Sequence, residues 1–136
     1  MAKKLFLIFN HQITSRQVTD ARESLKVEQL VPLPDELKQH WCNIPPHAAS
    51  IKEYIAPVIQ WLTERAVEGD YVLIQGDFGA CYILVNAAFE HKLVPIYSTT
   101  HRQAVETRTQ EGGVDLIHQF LHQRFREYEK QAKGGE

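Results

Sequence analysis

Three short segments hold the residues of this chain whose types and spacing could do chemistry. "NHQ", residues 10–12, places His11 between the amides of Asn10 and Gln12. An imidazole in that setting can move a proton or donate to a phosphate oxygen. "GDFG", residues 76–79, brackets an acid and an aromatic with glycines and leads into an apolar stretch. Gly76 and Gly79 permit positive φ and close backbone approach. The helix that follows offers N–H donors and a partial positive charge to an anion. Asp77 can cap that helix or accept from a ribose hydroxyl, and Phe78 can stack on a base. "STTHR", residues 98–102, gathers the hydroxyls of Ser98, Thr99 and Thr100 with His101 and Arg102. Arg102 can pair two phosphate oxygens while the hydroxyls fill the remaining lone pairs. Each segment also has a plainer reading: a polar helix entry, a tight structural turn, and an exposed connection capping the next element.

The surrounding pattern sets all three at one place. "KLFLIF" (4–9) is apolar almost throughout, as a strand covered on both faces is. Thr14 and Gln17 form a capping box for a first helix with Val18, Ala21 and Leu25 on one face. "KVEQLVPL" reads as a second strand, "PDELKQHW" as a short helix, and "CNIPPHAA" as a loop. Ser50 and Glu53 suggest a second capping box, and a helical run follows with Pro57 expected to kink it. Residues 71–75 form a third strand, 80–91 a helix and 94–97 a fourth strand. The segments "AVETRT", "QEGG" and "VDLIHQF" suggest a C-terminal β-hairpin, favoured over a helix lined by Val114, Ile117, Leu121, Phe125 and Tyr128. Strands alternating with helices give a Rossmann-like α/β fold, a mostly parallel sheet flanked by helices. Ligands of such sheets sit beyond the carboxyl ends of the strands, where "NHQ", "GDFG" and "STTHR" are all expected as loops.

The 136 residues, 43% apolar, suit one domain over 1–128 with a polar, frayed tail over 129–136. A net charge of −2 argues against a broad face for long nucleic acid but not against a small phosphorylated ligand. No apolar run is long enough to cross a membrane, and Leu5–Phe9 is too short for a signal peptide, so a cytoplasmic protein is expected. Cys42 and Cys81 form no CxxC pair, which leaves a disulfide or zinc site unsupported. His118 and His122 would make a metal-capable pair only on a helix; a solvated pair is the simpler reading. "QRFREYEK" (123–130) reads as a surface segment or dimer contact. There is no G-x-G-x-x-G, Walker A loop, Gly-x-Ser-x-Gly elbow, catalytic-cysteine signature or magnesium carboxylate cluster.

The stretches "KLFLIFNHQIT", "LPDEL…W.NIPP", "GDYVLIQGDFGA" and "VPIYSTTHR" resemble the small standalone Csx-type proteins encoded beside type III CRISPR systems. These are relatives of the CRISPR-associated Rossmann-fold (CARF) domains. The resemblance extends to about Tyr128 and is to the short ring nucleases without an effector domain. It implies a homodimer that binds a cyclic oligoadenylate, cyclic tetra-adenylate foremost, and linearises it to switch off antiviral signalling. In-line attack of a ribose 2′-hydroxyl would give 2′,3′-cyclic phosphate products with no cofactor and no metal, because positioning and charge stabilisation can drive that step. On this reading Arg102 and Thr100 balance the phosphorane with His11 as acid or base. Asn10, Gln12, Gly76, Asp77, Phe78, Gly79, Ser98, Thr99 and His101 hold the ligand, His101 being the second choice for the proton. A binding module that captures the ring without cutting it uses the same loops, and a domain for an unrelated nucleotide is the third reading.

Overall fold

The computed structural model describes residues 2–108, 110 and 112–131, with backbone alone for 105, 107, 108 and 115–119. The elements run β1 (Lys3–Ile8), α1 (Ser15–Ser24), β2 (Val27–Pro32), α2 (Asp35–Cys42), α3 (Lys52–Arg65), β3 (Tyr71–Ile74), α4 (Phe78–Glu90), β4 (Val94–Arg108) and β5 (Val114–Glu127). The five strands form one sheet in the order β2-β1-β3-β4-β5, parallel except for the β4–β5 pair. This is the Rossmann-like, mostly parallel α/β architecture expected from the alternation of strands and helices, finished by an antiparallel hairpin. No helix among the described residues is long and apolar enough to cross a membrane.

Both faces of the sheet are covered, which is why β1 and β3 are apolar at successive positions. On one face Phe6, Ile8, Val72 and Ile74 pack with Trp41, Ile55, Val58, Leu62 and Leu84 from α2, α3 and α4. On the other, Leu5, Leu7, Leu73 and Ile96 pack with Ala21 of α1 and Phe125 of β5. The α1 capping box forms as its sequence dictates: Thr14 accepts from the Gln17 N–H, and the Gln17 side chain accepts from the Thr14 N–H at 2.9 Å. The box at Ser50 does not form. Helix α3 begins one turn position later, with Ile51 at its N-cap and no side-chain hydrogen bond there. The helix runs through Pro57, which stands on its exposed face.

The hairpin is longer than its sequence suggests. β4 pairs with β3 only over Val94–Ile96, then continues against β5 as far as Arg108. "STTHR" is therefore strand, not a loop. Its largely polar run, with threonines that favour strand, suits a ribbon open to solvent, and β5 supplies the backbone partners that sequence alone does not reveal. The register shifts between Thr99 and Thr100. The Thr99 hydroxyl spans that irregularity, donating to the Arg124 carbonyl at 3.0 Å and accepting the Arg124 N–H at 3.2 Å. Beyond it, residues 100–108 form one side of an arm about 30 Å long. The side chain of His118 and residues 132–136 of the expected frayed tail lie outside the described residues.

Candidate functional site

β1, β3 and β4 are parallel and in register, with Ile8 level with Ile74 and Leu73 level with Ile96. Their carboxyl ends therefore share one rim. Asn10, Gly76 and Ser98 each stand two residues past those core isoleucines, so the first part of every candidate segment meets there. The Gln75 N–H donates to the Ile8 carbonyl at 3.1 Å, and the Gln75 side-chain oxygen accepts the Ser98 N–H at 2.7 Å. The end of α2 closes the rim from above. Trp41 Nε1 donates to the Gln75 carbonyl at 3.0 Å, and Cys42 Sγ lies 3.7 Å from Asn10 Oδ1.

The two glycines of "GDFG" have different physical grounds. A Cβ on Gly76 would fall 2.8 Å from Trp41 Nε1, so the buried indole demands glycine there. A Cβ on Gly79 would meet Asp77 Oδ2 at 3.4 Å and Ile51 Cδ1 at 3.6 Å, ordinary contacts. Packing within the chain thus leaves Gly79 bare without requiring it. Asp77 caps α4, accepting the Ala80 N–H at 2.9 Å. The first-turn N–H groups of Phe78 and Gly79 have no carbonyl one turn back to bond. Phe78 is 94% exposed and Tyr82, one turn on, is 72% exposed.

Between α4 and the hairpin lies an open cleft of about 1300 Å³. Its wall is aromatic: Phe78, Tyr82 and Phe89 on α4 face Tyr97 and Tyr128 on the hairpin side, and Gly76 and Ser98 complete the rim end. The Tyr97 and Tyr128 rings are 4.8 Å apart. Arg126 stacks over Tyr97 and donates to its hydroxyl at 3.1 Å, while Lys130 stands 5.9 Å from the Phe89 ring. Tyr128 donates to the Ile74 carbonyl at 2.7 Å. Burial, with the neighbouring Cys81 and Tyr97, pushes its hydroxyl up to about 12. Burial and the Asp77 carboxylate likewise raise the Cys81 thiol to about 11. Both stay neutral donors near pH 7.

The remaining predicted residues lie apart from this cleft. His11 and Gln12 line a separate pocket of about 290 Å³ with Phe9 and Lys38. Thr100, His101 and Arg102 are exposed on the arm, where Arg102 stacks 5.9 Å from Phe120. Arg126, Tyr128 and Lys130 were the residues hidden in "QRFREYEK". Their period-two spacing was the available signal once that segment is read as strand running into coil.

One cluster escapes any motif. His122, buried at 5% exposure, bonds Ser98 Oγ through Nδ1 at 2.5 Å and Asp20 Oδ2 through Nε2 at 2.7 Å. Gln17 Nε2 reaches the same hydroxyl at 3.4 Å. Burial opposes ionisation of Asp20, but the Ser24 hydroxyl, His122 and the Phe125 N–H outweigh it and hold the carboxyl below its ordinary value. His122 is thus not the solvated histidine its sequence suggests: β5 turns it inward beside Phe125, under α1.

Residues 3–126 match the family described as "Uncharacterized protein MJ1673 family". The chain belongs to that family. Uncharacterized protein MJ1673 of Methanocaldococcus jannaschii is 47% identical over 125 residues, covering 92% of this chain and 96% of that protein. No solved structure matches the chain.

Proposed function

We propose that this protein binds cyclic oligoadenylate, cyclic tetra-adenylate foremost, and opens the ring by in-line 2′-hydroxyl attack, as a CARF-like ring nuclease of type III CRISPR signalling. The observation that carries the reading is the aromatic cleft ending at the N-terminus of α4. Phe78 and Tyr82, exposed on one helix face, offer stacking surfaces for adenines. The Phe78 N–H at the start of α4 and Lys130 offer donors for the phosphates between them, with Arg126 held over Tyr97 beside the cleft. The sequence resemblance supplies the identity of the ring.

A rotationally symmetric ligand suits a twofold dimer, which presents every donor twice. The long arm supports a dimer, since a two-stranded ribbon is marginal alone in water. In such a dimer the arm of one subunit lies over the rim of the other, bringing Thr100, His101 and Arg102 to a cleft they do not reach in their own chain. There Arg102 and Thr100 balance the phosphorane, and His11, which in its own chain lines the separate pocket with Gln12, handles a proton. Asn10, Gln12, Asp77, Ser98 and Thr99 order the surrounding backbone and ribose. The protein works in the cytoplasm, where its ligand is made, and no metal or cofactor takes part in the step.

The test is incubation of the pure protein with cyclic tetra-adenylate in EDTA, with products resolved by chromatography. Linear di-adenylate ending in a 2′,3′-cyclic phosphate is the expected product. Intact ring eluting with the protein indicates a sensor or sponge, and a requirement for added metal overturns the mechanism. Arg102→Ala is expected to lose most turnover, and His11→Ala to lose turnover more than binding. Unchanged single-turnover rates in both would remove those residues from the chemistry.

A further inference from the structure

The Ser98–His122–Asp20 chain supplies no nucleophile to a reaction whose nucleophile is the ligand's own 2′-hydroxyl. Its three members come from β4, β5 and α1, separated by as much as 102 residues in sequence, yet they are consecutive in hydrogen bonding. The Asp20 carboxylate accepts from Nε2, which fixes the proton on that nitrogen and leaves Nδ1 to accept from the Ser98 hydroxyl. A hydroxyl on a base that a third group orients is the arrangement that activates a nucleophile. Ser98 is partly exposed and stands where the large cleft meets the rim, beside Gly76 and Phe78, with its side chain on the α1 face of the sheet like that of its register partner Phe125. The N–H groups that open α4 border the same end, where an oxyanion would need donors.

We propose that Ser98 is a nucleophile, primed by His122 and positioned by Asp20, for small carboxylic or phosphoric esters that reach it at the rim of the sheet. In the first step Ser98 Oγ bonds to the carbonyl carbon or phosphorus as its proton passes to His122 Nδ1. The bond to the leaving oxygen breaks, and that oxygen takes the proton from Nδ1. Water then attacks the serine ester, giving its proton to Nδ1, and Ser98 departs with that proton restored. Asp20 stabilises the imidazolium in both steps. This site goes beyond the ring-opening reading and does not depend on it.

The experiment is labelling of the full chain with a fluorophosphonate, which loses fluoride on bonding to an activated serine. Intact mass should rise by one adduct per chain, and peptide mapping should place it on Ser98. Ser98→Ala should abolish the adduct in a chain that still folds, with a melting temperature lowered by the loss of the His122 Nδ1 partner. His122→Gln should slow labelling by about 10²-fold or more, and Asp20→Asn should slow it as well. p-Nitrophenyl acetate and bis(p-nitrophenyl) phosphate then distinguish an acyl from a phosphoryl preference. A latch that only ties α1 to the hairpin would give no adduct in the wild-type protein. That result, a label on another residue, or a rate unchanged in folded His122→Gln would overturn the proposal.

Discussion

Replacing the two glycines of "GDFG" one at a time separates the scaffold from the site. In Gly76→Ala the new methyl must lie 2.8 Å from Trp41 Nε1, closer than real Cβ contacts come, and a tight 3.1 Å from Cε2. Trp41 is 1% exposed and wedged among Phe6, Ile55 and Val58, so the indole cannot swing clear without displacing core. Shifting it also breaks its hydrogen bond to the Gln75 carbonyl. Overpacking costs about 1–3 kcal/mol and the lost bond about 1 kcal/mol. The sum of about 2–4 kcal/mol lowers the melting temperature by about 8–16 °C in a chain of this size. Gly79→Ala meets only ordinary contacts and sits inside a helix, where alanine is the better former by up to about 1 kcal/mol. Its melting temperature should hold or rise by a few degrees. Its affinity for cyclic tetra-adenylate should nevertheless fall about tenfold, because the methyl occupies the approach to the α4 N–H groups. Thermal unfolding by circular dichroism and equilibrium titration of the ring measure both. A wild-type melting temperature for Gly76→Ala, or equal destabilisation by both substitutions, would refute this division of roles.

Asp20 ionises more readily in the folded chain than in the unfolded one, so its charge stabilises the fold above the ordinary carboxylate range. That contribution disappears as pH falls through the depressed folded value. The melting-temperature gap between wild type and Asp20→Asn should be full near pH 6 and close under strong acid; a gap independent of pH would contradict the sign. The exposed Cys42 should react with an aromatic disulfide reagent at pH 7.5 well before Cys81, whose thiol is raised to about 11 by burial and the Asp77 charge. Asp77→Asn should narrow that difference, and equal rates for the two thiols in the wild-type protein would count against the burial of Cys81.

The parts of this fold that local chemistry dictates were legible in the sequence. Thr14 and Gln17 satisfy each other across one turn, and the apolar runs of β1 and β3 report a sheet covered on both sides. The rim position of Asn10, Gly76 and Ser98 followed from the rule for parallel sheets once those strands were placed. Long-range pairing was not legible. Nothing within "STTHR" announces that β5 lies beside it, so a strand read as a loop and Arg102 moved from the rim to the arm. The same blindness hid His122, whose partners Ser98 and Asp20 are 24 and 102 residues away. Ser50 illustrates the opposite failure: its capping spacing is right, but the chain enters α3 through Ile51.

Native mass spectrometry of the protein mixed with cyclic tetra-adenylate, sprayed at low collision energy, tests the central claim most directly. The account predicts two chains carrying one ring, and on longer incubation two chains carrying linear di-adenylate. Chains that take up no ring, or single chains that each take up their own, would contradict it.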